Sequence, residues 1–277
     1  MLTKFRNFVF LSGFVLFAWA CNNDDQQPAP APVVPTDTTF LPATPLKIEA
    51  PSYFGNQNIP ENNPTTVQGV ELGRMLFYEK MLSTDNTISC GSCHKQELAF
   101  TDGLAVSPGV NNATGTRSSM SLANAGWFRH FMWDGAANTL EEQARLPILN
   151  HLEMNSSMSE IISKLKNSSL YPDKFGKAFG TSEINEERIV KALAQFQRTL
   201  VSANSKFDRY LTHTQNLSAE EMRGFILFRT HPVSTSLPPI VGANCGDCHG
   251  STGILTLDQF KNNGLDAAPT DRGRGAI

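Results

Sequence analysis

Apolar positions along the chain fall at helical rather than strand spacing. Leu72, Met75 and Leu76 recur on one helical face, and Ile189, Leu193, Phe196 and Leu200 form a long apolar stripe that predicts the clearest helix. Period-2 alternation is nowhere sustained. Thr139/Glu142, Ser157/Glu160 and Ser218/Glu221 each set a hydroxyl residue three positions before a glutamate, the pattern of a reciprocal cap opening a helix. Gly, Pro, Ser and Asn gather over 101–118 and 230–244, which read as loops. The predicted fold class is all-α with long functional loops. The folded region is expected to begin near residue 48, with a domain break between 203 and 217.

The first 47 residues break this pattern. Lys4 and Arg6 precede a 13-residue, mostly apolar run, Phe8 to Ala20, which has signal-peptide length and is short for a membrane span. Ala18-Trp19-Ala20-Cys21 then resembles a relaxed bacterial lipobox, in which the cysteine is lipidated after cleavage; a plain secretory signal is the alternative. Residues 22–47 are rich in Pro and polar side chains and read as a semi-rigid spacer. The expectation is a periplasmic protein tethered to a bacterial membrane through lipidated Cys21.

Composition narrows the function classes. At 277 residues, 40% hydrophobic and 18% charged, the chain can bury a core. Its net charge of −3 argues against a nucleic-acid partner, and removing residues 1–20 leaves 21 basic against 26 acidic side chains. Five cysteines are too few for a disulfide scaffold.

Four of those cysteines carry the chemistry. Cys90-Gly91-Ser92-Cys93-His94 and Cys245-Gly246-Asp247-Cys248-His249 are both C-x-x-C-H, the arrangement of covalent c-type haem attachment. Two thiols about one helical turn apart can add to the two haem vinyl groups, and the adjacent histidine can then ligate the iron. The two motifs are the only duplicated feature in the sequence. A four-cysteine zinc site would have to bridge 151 intervening residues and leaves both histidines unexplained. A thioredoxin-like pair needs a βαβ context, and four-residue disulfide loops would be strained.

The segments ELGRMLFYEKMLSTDNTISCGSCH, GTRSSMSLANAGW, FMWDGAANTLEEQARLPILNHLEMN and ANCGDCHG follow one another in the order found in a known family. The sequence resembles the bacterial dihaem cytochrome c peroxidases and their MauG-type relatives. The resemblance implies two cytochrome-c-like helical domains, here 48–210 and a partial 211–277, with one covalent haem c each and often a calcium ion between them. The first haem is then peroxidatic and the second transfers electrons. By the same resemblance Trp133 matches the tryptophan between the haems and Glu153 the distal-pocket carboxylate that moves a proton during peroxide cleavage. Their plain alternatives are a buried aromatic and a surface glutamate. Gln143 and Pro147 match pocket-lining positions. Hydrogen peroxide and a small cytochrome or cupredoxin would be the partners, and a homodimer stays open.

Two departures from the family pattern stand out. Val110 falls about where some members carry a histidine that blocks the first haem, and no histidine lies between His94 and His130. The first haem is therefore expected to have an open or water-occupied distal side, unless His130 or His151 swings in. Second, the 28 residues after His249 contain no Met, His or Tyr, so the second domain reads as incomplete, with Met222 one substitute for the missing axial ligand. A MauG-like oxidase of a partner protein and a non-enzymatic electron carrier are the competing readings.

Overall fold

The computed structural model describes residues 39–235, 238–250, 260–261, 264–265 and 267–276. The predicted signal segment, Cys21 and the spacer up to residue 38 lie outside the described residues. Among the described residues the regular elements are helical, with isolated β-bridges and no strand. The α-helices are α1 (Val67–Phe77), α2 (Cys90–Cys93), α3 (Leu140–Leu149), α4 (Met158–Lys166), α5 (Tyr171–Phe179), α6 (Glu186–Arg198), α7 (Lys206–Leu211), α8 (Ala219–Arg229) and α9 (Gly246–His249). Among the described residues no helix is long and apolar enough to cross a membrane.

Side-chain caps fix where the helices start. Thr66 accepts the Gly69 N–H at 3.0 Å to open α1, and Thr139, Ser157 and Ser218 each accept the N–H three residues on. The reciprocal arm expected at all three forms only at Ser218, whose N–H donates to the Glu221 carboxylate at 2.7 Å. Glu142 instead accepts from the Asn138 N–H at 2.8 Å, one residue earlier, and Glu160 pairs with Lys164 along α4. The apolar stripe of α6 ends at Phe196. Leu200 lies beyond the last helical residue, although it still packs on the core.

The core is built on the crossing of α1 and α6, with α5 against α1 and α3 against α6. The crossing is close because α1 carries glycine there: a Cβ on Gly73 would sit 1.9 Å from the Ala192 carbonyl oxygen. A buried polar chain spans the same junction. Gln195 on α6 accepts the Thr66 N–H and donates to Asn63, which donates to Glu141; Glu141 also holds the buried Arg198 guanidinium at 2.7 and 3.0 Å. Before α1, Phe40 lies against Gly176 of α5, and Leu46 and Val67 donate to the carbonyls of Thr65 and Thr44.

The duplication extends beyond the two C-x-x-C-H motifs. A capped helix with Leu-Phe in its last turn precedes each motif: α1 ends at Leu76-Phe77 before α2, and α8 carries Leu227-Phe228 one residue before its end, ahead of α9. Phe77 lies 6.4 Å from the His94 ring and Phe228 6.4 Å from the His249 ring, at interplanar angles of 45° and 41°. The sequence hides this repeat because few side chains match and the connecting loops differ in length.

Gly73→Ala is expected to lower stability by about 1–3 kcal/mol, because the new methyl must push α1 away from the Ala192 carbonyl. Urea unfolding compared with the parent protein measures it.

Candidate active site

One cavity of about 430 Å³ holds the first C-x-x-C-H motif, within the ~300–1,000 Å³ typical of cofactor sites. Cys90, Cys93 and His94 form one wall. The 115–122 loop and the Phe131–Ala136 turn form a second. Gln143 and Pro147 of α3, with Asn150, Leu152 and Glu153 after it, form a third. The wall is mostly apolar, with Phe77, Met120, Leu140 and Leu193 among its members.

His94 is held ready to ligate. Ala99 and Phe100 both adopt left-handed backbone, at φ 55° and 61°, and this turn brings the Phe100 carbonyl to 2.7 Å from His94 Nδ1. A carbonyl can only accept, so Nδ1 carries the proton and Nε2 keeps its lone pair. Burial pushes the imidazole below its ordinary value, against the hydrogen bond to Phe100, so the ring is neutral at pH 7. Burial likewise pushes the Cys90 thiol up to about 12 and raises Cys93.

Glu153 is placed by a short turn. Pro147 sits inside α3, cannot donate to the Gln143 carbonyl, and the helix stops two residues later. The Met154 N–H then returns to the Pro147 carbonyl at 3.2 Å, and Asn150 Nδ2 donates to Glu153 Oε1 at 2.6 Å. Burial raises the Glu153 carboxyl above the ordinary glutamate range, and the Asn150 amide pulls it partly back. The surface alternative does not describe this residue, which faces the cavity.

Trp133 lies on the opposite wall. It is 53% exposed, so the buried-aromatic alternative does not describe it either. Its Nε1–H donates to the Ser118 carbonyl at 2.9 Å, and Met132 before it has φ 66°. Gln143 Nε2 reaches the Met132 sulfur at 4.0 Å. Val110 is 2% exposed and absent from the cavity wall. Its N–H donates to the Glu153 carbonyl at 2.9 Å, beside Gly109, where a Cβ would stand 2.1 Å from the Leu152 carbonyl oxygen. Among the described residues His94 is the only histidine lining the cavity; His130 and His151 are exposed and off its wall.

The second motif lies on α9, apart from this cavity. His249 is exposed with Phe228 behind it, and Asp247 pairs with His231 at 2.9 Å, which raises the His231 imidazole. The structure therefore brings Cys90, Cys93, His94, Trp133, Gln143 and Glu153 to one cavity and leaves Cys245, Cys248 and His249 outside it. Sequence reasoning missed Arg117, which holds Asp134 and, 154 residues further along the chain from itself, Asp271, a pairing that no local pattern signals. It also missed the Phe100 carbonyl, which is main chain.

A family profile described as di-haem cytochrome c peroxidase matches residues 67–216. The methylamine utilization protein MauG of Methylophilus methylotrophus is 37% identical over 218 residues, 78% of this chain and 62% of its own. The cytochrome c551 peroxidase of Nitrosomonas europaea is 37% identical over 207 residues, 72% of this chain and 56% of its own. Among solved structures, a MauG-like protein associated with microbial copper homeostasis superposes with TM-score 0.67 at 34% identity, covering 78% of this chain and 62% of that one. The chain belongs to the di-haem cytochrome c peroxidase family, MauG-type proteins included, and has its all-α, cytochrome-c-like fold. It spans about 60% of the length of the MauG relatives it matches.

Haem is the cofactor that the family implies, and the first cavity fits it. Two thiols at C-x-x-C spacing, a neutral imidazole with Nε2 available and an apolar wall are what covalent attachment and axial ligation require.

A carboxyl raised in the folded state binds protons that the unfolded chain has released, so it weakens the fold as pH climbs from the ordinary glutamate range through the raised value. Glu153→Gln is expected to flatten that part of the stability profile, read as Tm against pH.

Proposed function

We propose that the chain carries the peroxidatic half, and part of the electron-entry half, of a c-type dihaem peroxidase. It would reduce hydrogen peroxide to two waters with two protons and two electrons from a small cytochrome or cupredoxin. The observation that carries this reading is the raised carboxyl of Glu153 on the wall of the cavity that holds His94. Cys90 and Cys93 would bond one haem c and Cys245 and Cys248 another, with His94 and His249 as axial ligands. Haem bound in the cavity supplies the iron at which peroxide is reduced.

The side chains around it have distinct tasks. The Phe100 carbonyl keeps the His94 proton on Nδ1 and Nε2 free. Glu153, its carboxyl raised by burial, can pass a proton between the two peroxide oxygens, with Asn150 fixing the carboxyl's direction. Gln143 adds an amide to the same wall. Trp133, with its indole N–H fixed on Ser118, is the aromatic relay toward the second motif. With Val110 packed away and His94 the only histidine among the described lining residues, the distal side would be open to peroxide without prior reduction. The expected location is the periplasm, with Cys21 as a lipid anchor, and calcium is expected between the two halves.

The similarity to MauG proteins favours one second reading, an oxidase that modifies a partner protein at the same site. Turnover of reduced cytochrome c with peroxide supports the first reading. Oxidation of a protein substrate without such turnover supports the second.

Glu153→Gln is expected to keep both haems and lose roughly 10²–10⁴-fold in peroxide turnover. Turnover near the parental rate removes Glu153 from the mechanism. Replacing Cys90 and Cys93 together by serine is expected to lower covalent haem content by about half, measured as the pyridine haemochrome after acid–acetone extraction.

A further inference from the structure

A group of contacts that the peroxidase reading does not use lies beside the cavity, where Phe260, Asp271 and Arg274 meet Arg117 and the turn carrying Trp133. Arg117 is its hub. One arm of the guanidinium, Nη1, donates to Asp134 Oδ2; the fork of Nε and Nη2 donates to the two oxygens of Asp271 at 2.6 and 2.8 Å. Asp134 is also tied on its other oxygen by the Ala136 N–H at 3.1 Å, and Asp271 accepts the Gly273 N–H at 2.8 Å. Both carboxylates are therefore fixed in direction before the guanidinium joins them. Arg117 stands next to Ser118, whose carbonyl accepts the Trp133 indole N–H, and Asp134 stands next to Trp133. The indole is thus held at its own nitrogen and through its neighbour, both times from residues 117 and 118.

A second contact reinforces the first. The Arg274 guanidinium lies 4.6 Å from the centre of the Phe260 ring and donates to the Asp134 carbonyl at 3.3 Å. Phe260 lies 5.4 Å from the His130 ring, tilted by 51°, and covers Gly135, where φ is +72° and a Cβ would stand 2.3 Å from the ring. Glycine serves the positive φ and the close ring together.

We propose that Arg117 is a positioning residue for Trp133: its planar fork clamps the Trp133–Asp134 turn to Asp271 and so sets where the indole stands on the cavity wall. This rests on reading Trp133 as the relay between the two haem sites. Lysine cannot replace Arg117, because one ammonium cannot hold a bidentate carboxylate on one side and a second carboxylate on the other. The position of a relay matters steeply, since displacements of about 1 Å at a reaction site can cost on the order of 10²-fold.

The test uses the full-length protein with both haems, as parent, Arg117→Gln, Arg117→Lys and Asp271→Asn. Hydrogen exchange followed by mass spectrometry reports the 131–137 turn, where the Phe131 N–H to Ala137 carbonyl bond is 2.9 Å. Half-reduced protein mixed with hydrogen peroxide reports two phases: binding, which depends on peroxide concentration, and transfer between haems, which does not. Arg117→Gln and Arg117→Lys are expected to lose protection at 131–137 and to slow transfer roughly tenfold or more while binding stays at the parental rate. Asp271→Asn, which keeps the Asp134 arm, gives a smaller change of the same kind. Unchanged exchange and transfer in Arg117→Gln overturn the proposal. So does a fall in peroxide binding that matches the fall in transfer, because that marks a general collapse of the cavity. If the parent protein shows no transfer phase, the peroxidase reading fails, and the exchange comparison alone decides whether Arg117 holds the turn.

Discussion

The contact between Gly73 and the Ala192 carbonyl governs the rest of the structure, because it sets how closely α1 and α6 approach. Close approach places Phe77, the last residue of α1, against Phe196 of α6 at a ring distance of 5.1 Å, and the other side of Phe77 faces His94 and Phe100. The histidine is thus oriented from two directions, by an aromatic wall that belongs to the core and by a main-chain carbonyl delivered from a strained turn. Interiors packed at crystal-like density pass such constraints on with little give, so the helix crossing helps fix the His94 ring.

The cavity sorts its ionisable groups by depth. Inside it, burial drives Cys90, Cys93, His94 and Glu153 toward their uncharged forms, which suits a wall that has to receive a large apolar ring. Full charge is kept for the rim, where Arg117 holds Asp271 down to about 2. The buried Arg198–Glu141 pair is the exception, and it lies on the far side of α6 in a polar chain with Asn63 and Gln195. Its position suggests its role: it ties α3, which carries Gln143 and Pro147, to the helix crossing.

Much of this was legible from residue order alone, for reasons that differ between elements. The α6 helix announces itself because its buried face repeats every three to four residues, and the attachment motifs because their chemistry demands a local spacing. Trp133 and Glu153 were reached through the family resemblance; nothing in their own neighbourhoods marks them. The caps were half legible: the hydroxyl arm depends only on the residue at the N-cap, whereas Glu142 and Glu160 each took a competing partner four residues away in the chain. The repeat that pairs Phe77 with Phe228 was missed because the shared Leu-Phe stands at different distances from the two motifs, and only the ring placement makes it plain. The Arg117 clamp was invisible because its partners meet only after folding.

One seam behind the Glu153 backbone has a mechanical consequence. Val110 is bonded through its amide to the carbonyl of Glu153, and Gly109 lies flush against Leu152 with no side chain to separate them. The backbone at 109–110 and the backbone at 152–153 are therefore held together as one unit. A side chain added at position 109 would therefore displace the very backbone from which the Glu153 carboxyl projects.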